Sequence, residues 1–179
     1  MMNRSRFALL ILCAALPASL GTAYAGVGDV VIRPSPDEVH NVIRELGTKS
    51  LKKWIAWDRQ TLDIRDPDTG RTPLMTALIA EKPKHFRLLL KSGANPELTD
   101  RVGNSALHVA AQINEPWRIL ELLKSGANAE LRNGQGQTFQ RFLYMPRESL
   151  LNADTRKGRA AVIDWLNDHG VAVEPATPS

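Results

Sequence analysis

The chain has 179 residues, with 23 lysines and arginines against 19 aspartates and glutamates, and its single cysteine is Cys13. Because Cys13 lies in a segment that we expect to be cleaved off, the mature chain contains no cysteine, which excludes disulfides, thiol catalysis and cysteine-ligated metals. Loss of Arg4 and Arg6 leaves 21 basic and 19 acidic residues, and no block of basic residues indicates a nucleic-acid-binding surface. The remaining length is sufficient for one domain with a hydrophobic core.

The N-terminal segment, residues 1–25, has the three parts of a secretory signal peptide. Two arginines precede an apolar run over residues 7–16, which is too short to cross a bilayer. Residues 23–25, Ala-Tyr-Ala, match the small-x-small form that signal peptidases cleave. The sequence therefore predicts a signal peptide over residues 1–25, cleavage after Ala25, and a periplasmic mature protein without membrane attachment. Complete export from the cell is the alternative.

A short lead-in segment, part of it extended, covers residues 26–34 and precedes the first predicted helix. Ser35 caps that helix, and Pro36 fits its first turn. Apolar residues at spacings of three and four share one face of the helix, and Gly47 ends it. A second helix follows, so residues 35–67 are predicted to form a helical hairpin that caps the N-terminal end of the domain.

The central part of the chain repeats itself. Residues 91–95 read Lys-Ser-Gly-Ala-Asn, and the same five letters return unchanged at residues 124–128. Other pairs keep the same step: Gly70 with Gly103, Leu74 with Leu107, Ala77 with Ala110, and Pro83 with Pro116. A fixed period of this length predicts stacked units of one supersecondary motif, here over residues 68–99 and 100–132.

Each of these two repeats is predicted to contain two helices. In the first repeat Thr72 caps the first helix and Pro73 occupies its first turn. Gly93 ends the second helix in a left-handed conformation. Between the helices, Asn114 of the second repeat tolerates a left-handed turn, but Glu81 of the first repeat does not, so we expect the first connection to have a different shape.

A third unit over residues 133–174 starts in register and then departs from it. The period would place its closing glycine, the counterpart of Gly126, at position 159, but that glycine is Gly170, so about eleven residues are inserted. We place the insertion between the two helices, at residues 145–154. A terminal repeat is expected to be atypical because its outer face meets water. The tail over residues 175–179 is predicted to be disordered.

The starts of the repeats identify a family. Residues 70–77 and 103–111 resemble the G-x-T-P-L-H-x-A motif of ankyrin repeats; His108 stands at the motif's histidine, whereas Met75 replaces it in the first copy. The resemblance extends over residues 35–174. It implies an all-α solenoid of about four helix-turn-helix repeats, with degenerate N- and C-terminal caps and a β-turn finger between consecutive repeats.

The resemblance also implies protein recognition through the fingers and through the concave surface of the first helices. Carried over by position, the finger candidates are Asp68, Thr69, Arg71, Thr99, Arg101, Val102, Asn104, Arg132, Gly134, Gln135 and Gln137. The first-helix candidates are Ile79, Ala80, Gln112 and Ile113. The alternative is that any one of these residues is simply a solvated loop residue, because few residues carry most of the energy of an interface.

Catalytic interpretations have little support in the sequence. None of the four histidines forms a pair with metal-ligand spacing on one helix, and the resemblance implies that the ring of His108 hydrogen-bonds to the neighbouring turn. Asp63, Asp66 and Asp68 are closely spaced, as acidic residues are in a calcium loop, but Pro67 and the missing distal glutamate favour a solvated finger. We therefore expect no enzymatic activity, no cofactor and no metal.

The functional prediction is a non-catalytic protein that is monomeric when unbound and binds one other protein, without nucleic acid. The partner is either a secreted toxin that the protein neutralises, as immunity proteins do, or a periplasmic enzyme that it supports, for example in defence against oxidative stress. A small-ligand or enzymatic site in the 145–154 insertion is the remaining alternative. Its ionisable residues are Arg147, Glu148 and Asp154.

Overall fold

The computed structural model of the chain describes residues 23–25, 30–32, 34–146 and 148–174. Most of the predicted signal peptide and the whole predicted tail over residues 175–179 lie outside the described residues. Eight α-helices lie in the described part: α1 (Pro36–Glu45), α2 (Thr48–Trp57), α3 (Pro73–Ile79), α4 (Pro83–Lys91), α5 (Ala106–Gln112), α6 (Pro116–Lys124), α7 (Gln140–Leu143) and α8 (Ala153–Asp168). Two short 3-10 helices, Arg59–Leu62 and Glu148–Leu150, complete the helical elements.

A two-stranded antiparallel ribbon precedes the helices. Strand β1 (Ala23–Ala25) pairs with strand β2 (Val30–Ile32), so that Ala23 lies opposite Ile32 and Ala25 opposite Val30. The sequence predicted an extended piece in the lead-in segment but not its partner. β1 ends at the predicted cleavage position, so cleavage after Ala25 would remove one strand of this ribbon.

The helices are arranged as a stack of hairpins. Helices α1, α3, α5 and α7 pack in chain order, each against the next, and form one layer. The second helices form the other layer, with α2 against α4 and α6 against α8. This arrangement confirms the predicted all-α solenoid. None of the helices in the described ranges has the length and apolar composition needed to cross a membrane.

The helix starts follow from local hydrogen bonding. At α1 the Ser35 N–H donates to Glu38 Oε2 at 2.7 Å and the Glu38 N–H donates to Ser35 Oγ at 3.3 Å, which is a capping box. At α3 the Thr72 hydroxyl accepts from the Met75 N–H at 3.4 Å. Gly47 differs from its prediction: it has an ordinary φ of −81° and is the N-cap of α2, because α1 already ends at Glu45.

The two helix-helix connections within the central repeats have the same shape, and the prediction that they differ was wrong. Glu81 and Asn114 both have positive φ angles, 52° and 57°. Each donates its N–H to the carbonyl three residues earlier at 3.0 Å, and the next residue donates to the carbonyl five residues earlier at 2.9 Å. Stacking thus imposes the left-handed turn on Glu81, at a cost of about 1–2 kcal/mol for a residue with a Cβ.

The last hairpin is closed by the C-terminal segment of the described chain. Gln140, the first residue of α7, donates from Nε2 to the Ala172 carbonyl and accepts at Oε1 from the Glu174 N–H, both at 2.9 Å. The Thr138 hydroxyl donates to Glu174 Oε1 at 2.8 Å. Residues 171–174 therefore provide hydrogen-bond partners to the last repeat, in the place where a further repeat would otherwise provide them.

Candidate functional site

Three turns between consecutive hairpins form the fingers. Each turn begins with an aspartate or an asparagine, namely Asp66, Asp100 and Asn133. The Oδ1 atoms of these residues accept hydrogen bonds from backbone N–H groups further along the turn at 2.8 to 3.2 Å. Such Asx turns hold the backbone without help from secondary structure. The fingers are therefore defined by their own side chains as well as by the helices that flank them.

Adjacent fingers also hold each other. The Arg101 N–H donates to the Thr69 carbonyl at 3.1 Å, and the Arg101 guanidinium donates to the Pro67 carbonyl. Between the second and third fingers, Asn133 Nδ2 donates to Asn104 Oδ1 at 3.1 Å. These bonds fix the distance between neighbouring finger tips, so the row of fingers presents one surface.

The second and third fingers approach so closely that glycine is required on both sides. A Cβ placed on Gly103 would lie 2.4 Å from the Gly134 nitrogen, and a Cβ placed on Gly134 would lie 2.5 Å from the Val102 carbonyl oxygen. Gly103 also has a φ of +85°, which favours glycine. The Gly134 position thus serves finger packing and offers no side chain to a partner.

Two buried histidines connect the first helices to the turns. His108 accepts at Nδ1 from the Ser105 N–H at 3.2 Å, and its Nε2 lies 2.9 Å from the Gln137 carbonyl of the next finger, which confirms its predicted structural role. His40 of α1 makes different contacts: its Nδ1 lies 2.7 Å from the Thr76 hydroxyl on α3, and its Nε2 lies 3.2 Å from the Ile64 carbonyl, just before the first finger. Burial lowers the pKa of both rings, which favours their neutral forms.

The predicted contact residues differ in accessibility. Thr69, Arg71, Ala80, Thr99 and Gln137 are half-buried. Nine members of the predicted set are exposed. Gly134 is one of them but has no side chain, and we call the other eight the finger face: Asp68, Ile79, Arg101, Val102, Gln112, Ile113, Arg132 and Gln135.

Asn104 does not belong to the accessible set. Its side chain is only 8% exposed, and it binds Asn133 of the neighbouring finger. A partner could reach Asn104 only by opening the contact between two fingers. The prediction that Asn104 touches a partner is therefore replaced by a role in holding the fingers together. Arg101 is accessible to a partner and also holds two fingers together, because its side chain is exposed while its guanidinium is bound to the first finger.

Three members of the finger face are large apolar side chains. Val102 at the tip of the second finger is 65% exposed, Ile79 at the end of α3 is 40% exposed, and Ile113 directly after α5 is 36% exposed. The helix α5, whose seven residues span about 10 Å along the axis, lies between Val102 and Ile113 in the chain. Apolar groups held apart on rigid elements are suited to docking against a protein surface, since exposing them to water is unfavourable.

The side chains that are able to do acid–base or metal chemistry are dispersed. The four histidines lie on different helices or at their ends: His40 on α1, His85 on α4, His108 on α5 and His169 after α8. Within the described ranges, no three histidine or acidic side chains come together in a group that could hold a metal ion.

The 145–154 insertion is tied to the helices beside it. Asn152 Oδ1 accepts from the Thr155 N–H at 2.8 Å and caps α8, and Asp154 accepts from the Trp117 indole N–H at 2.9 Å. Two apolar side chains of the insertion, Met145 and Leu150, are 65% and 79% exposed. The insertion therefore extends the terminal repeat and presents an apolar surface of its own, at a distance in sequence from the finger face.

The carboxylate of Asp66 gives the first finger a pH-dependent stability. Burial would raise its pKa, but hydrogen bonds from the N–H and hydroxyl of Thr69, the positive charge of nearby His40 and a hydrogen bond from the Asp68 N–H lower the pKa to about 2. Because this is below the ordinary value of 3.8, the charged form stabilises the folded state above pH 4, and this contribution is lost as the pH falls towards 2.

Asp66→Asn keeps the accepting oxygen, as Asn133 does in the third finger, and removes the charge. We expect it to lower the free energy of unfolding by about 1–2 kcal/mol at pH 7 and by much less near pH 2. Urea unfolding followed by circular dichroism at both pH values measures the difference. Asp68→Asn is the control, because the Asp68 side chain is exposed and accepts no hydrogen bond from the described residues. If Asp66→Asn lowered the free energy of unfolding equally at both pH values, the stabilising role assigned to the charge of Asp66 would be contradicted.

Comparisons with known proteins agree with this geometry. A family model described as ankyrin repeats in three copies matches residues 39–133, which is more than half of the chain. The crystal structure of the ankyrin repeat domain of Bcl-3, a member of the IkappaB protein family, superposes with a TM-score of 0.59 and 24% identity, and covers 76% of this chain and 58% of that one. At this identity the likeness shows the fold alone.

Curated relatives match parts of the chain. Protein PhlB of Serratia liquefaciens is 45% identical over 58 residues, which are 32% of this chain and 26% of that protein. NF-kappa-B inhibitor delta of Mus musculus is 47% identical over 55 residues, which are 31% of this chain and 16% of that protein. Phosphocholine transferase AnkX of Legionella pneumophila is 39% identical over 71 residues, 40% of this chain and 8% of that protein. The matches thus span about a quarter or less of each relative's length.

Proposed function

The chain belongs to the ankyrin-repeat family, and we propose that it is a non-catalytic module that binds one protein partner through the finger face. Ankyrin repeats mediate protein–protein interactions. The observation that carries the proposal is the set of exposed apolar side chains Ile79, Val102 and Ile113 on a scaffold of mutually bonded fingers. A rigid surface loses little conformational entropy on binding, so more of the contact energy is available for affinity.

The side chains around these apolar positions support the same proposal. Asp68, Arg101, Arg132 and Gln135 are exposed polar groups at the finger tips. A protein interface of standard size buries about 800 Å² on each side, with apolar side chains at its centre and polar groups at its rim. The finger face has this composition, which favours a protein partner over a small ligand.

We further propose that the mature protein acts in the periplasm of a Gram-negative bacterium and neutralises a secreted toxin. The arginines before the apolar run, and the Ala-Tyr-Ala motif that ends at Ala25, support export. A binding module can inhibit a toxin by occupying the surface that the toxin needs for its own activity. Support of a periplasmic enzyme, including one that defends against oxidative stress, uses the same surface and differs only in the partner.

The experiment that tests the proposal is capture of the partner from a periplasmic extract with the mature chain as bait. We expect intact-mass analysis of the purified protein to give a chain that begins at Gly26, and native mass spectrometry of the captured complex to give one copy of each protein. Retention of Met1 on protein in the cytosolic fraction would contradict the export proposal. Turnover of a substrate by the chain alone would contradict the non-catalytic assignment.

A further inference from the structure

Helices α2 and α4 and their flanking turns carry a strong excess of positive charge. Residues 48–62 and 82–93 contain eight of the 21 lysines and arginines that follow residue 25, but only one of the 19 acidic residues. In the rest of the chain after residue 25, aspartates and glutamates therefore outnumber lysines and arginines. Neither segment is a basic block by itself, and the charges become one patch only because the repeat fold packs α2 against α4.

Two open clefts lie between these helices. A cleft of about 700 Å³ is lined by residues 46–50 and 82–85, at the N-terminal ends of α2 and α4. A second cleft, of about 660 Å³, is lined at the C-terminal ends by Ile55, Leu88 and neighbouring residues. Corresponding ends of the two helices thus lie together, so α2 and α4 are parallel. We call the surface formed by residues 46–59 and 82–93 the basic groove.

The lysines of the basic groove form no salt bridges with the described residues. Lys82 is half-buried and the other five are exposed, and none of the six forms a salt bridge within the described part of the chain: Lys49, Lys52, Lys53, Lys82, Lys84 and Lys91. Arg87 shows the contrast, because its guanidinium donates two hydrogen bonds to Glu121 at 3.1 and 3.2 Å. The finger arginines differ too, since Arg101 and Arg132 donate to backbone carbonyls.

The N-terminal ends of the two helices add to this positive potential. The N-cap residues Gly47 and Lys82 provide no side-chain hydrogen bond, and neither helix has an acidic residue in its first turn. This differs from α1, where Ser35 and Glu38 form a capping box. Free N–H groups and the positive ends of two parallel helix dipoles favour a carboxylate at this point.

A buried histidine lies at the same cleft, close to the Gly47 backbone. His85 is 5% exposed and lines the N-terminal cleft, and its Nε2 atom is buried without a hydrogen-bond partner among the described residues. Buried polar atoms are nearly always hydrogen-bonded. This unsatisfied ring nitrogen is an observation independent of the lysines, and it lies where the two helix N-termini meet.

We propose that the basic groove is a second docking surface, which binds an acidic segment of a protein. Carboxylates of that segment lie at the N-terminal ends of α2 and α4, and its apolar side chains lie on Ile55 and Leu88. Trp57, at the end of α2, is the one largely exposed aromatic side chain of the basic groove, and a single ring does not provide the row of platforms on which successive nucleic-acid bases stack. A bilayer is flat and does not enter a groove. The inference is independent of the finger face.

The test uses a fluorescent peptide of alternating glutamate and leucine, with a peptide of alternating lysine and leucine as its control. The groove variant is Lys52→Glu with Lys84→Glu and Lys91→Glu. The matched variant carries the same change of charge at exposed positions of α6 and α8, namely Lys124→Glu, Arg156→Glu and Lys157→Glu. We expect saturable binding of the acidic peptide, at least about tenfold weaker in the groove variant, and nearly unchanged affinity in the matched variant.

Three results would overturn the proposal. Equal weakening of acidic-peptide binding in the groove variant and the matched variant would mean that only the net charge of the protein determines the affinity. Stronger groove-dependent binding to phosphatidylglycerol vesicles or to duplex DNA than to the peptide would assign the groove to a different class of partner. Backbone NMR shifts of the unsubstituted protein are expected to be largest near Thr48 and Lys84 on addition of the peptide. If the peptide shifts only the signals of residues elsewhere, the helix N-termini are not part of the binding site. This result does not depend on whether the groove variant folds.

Discussion

Leu107→Ala is expected to lower the free energy of unfolding by about 2–4 kcal/mol. The Leu107 side chain is 2% exposed and lies on α5, which packs between α3 and α7. Truncation leaves a cavity at the centre of the stack, which the helices cannot fill without shifting the fingers they carry. Urea unfolding followed by circular dichroism measures the loss, and Leu150→Ala is the control because Leu150 is 79% exposed.

Ala110→Glu acts at the same layer and is expected to have a larger effect. Ala110 is fully buried, so a glutamate here loses its hydration without gaining a partner and also overfills the contact between first helices. We expect this variant to be largely unfolded at room temperature. If either Leu107→Ala or Ala110→Glu unfolded cooperatively with the same urea midpoint as the unsubstituted protein, the packing described for α5 would be contradicted.

The second large effect is expected in binding. Substitution of Ile79, Val102 and Ile113 by aspartate places three charges on the finger face. We expect this triple variant to lose at least about 2 kcal/mol of binding free energy for the captured partner, because apolar residues at an interface centre are replaced by groups that must be desolvated. All three side chains are exposed in the free protein, so the fold is expected to remain intact. Isothermal titration calorimetry gives the affinity.

A matched variant separates this surface from the insertion. Met145, Leu150 and Val173 are 65%, 79% and 36% exposed, and their replacement by aspartate introduces the same chemistry at the C-terminal repeat. We expect nearly unchanged affinity for this variant. If it loses affinity while the finger-face variant retains it, the partner binds the 145–154 region, and the alternative function of the insertion replaces the proposed one.

The fixed sequence period made the fold predictable from the sequence. It placed the inward-facing Leu107 and Ala110 correctly, and the motif predicted the contact of His108 with the next finger. Such positions repeat because every unit packs on a copy of itself, so each core residue appears twice in register. The contacts of His40 with Thr76 and Ile64 were not predicted, because its helix lies in the degenerate cap and lacks the repeat motif around the histidine.

The details of the finger surface were harder to predict. The distance in sequence from Asp66 to Asp100 is one residue longer than the repeat period, because the first finger contains an extra residue. The two aspartates are therefore out of register, and the Asx turn that they share could not be predicted from the period. Asn104 occupies a finger position yet is buried, because its accessibility depends on how closely the next finger approaches. Contacts between neighbouring units are properties of the stack and leave little signal in a single repeat.

Hydrogen exchange of the complex is the measurement that tests the central claim most directly. The free protein and its complex with the captured partner are compared by amide exchange detected with mass spectrometry. If the finger face is the binding surface, protection on binding is expected in residues 79–80, 100–104, 112–113 and 133–137. Protection confined to the 145–154 insertion, or to α2 and α4, with unchanged exchange in the fingers, would contradict the proposed mode of binding.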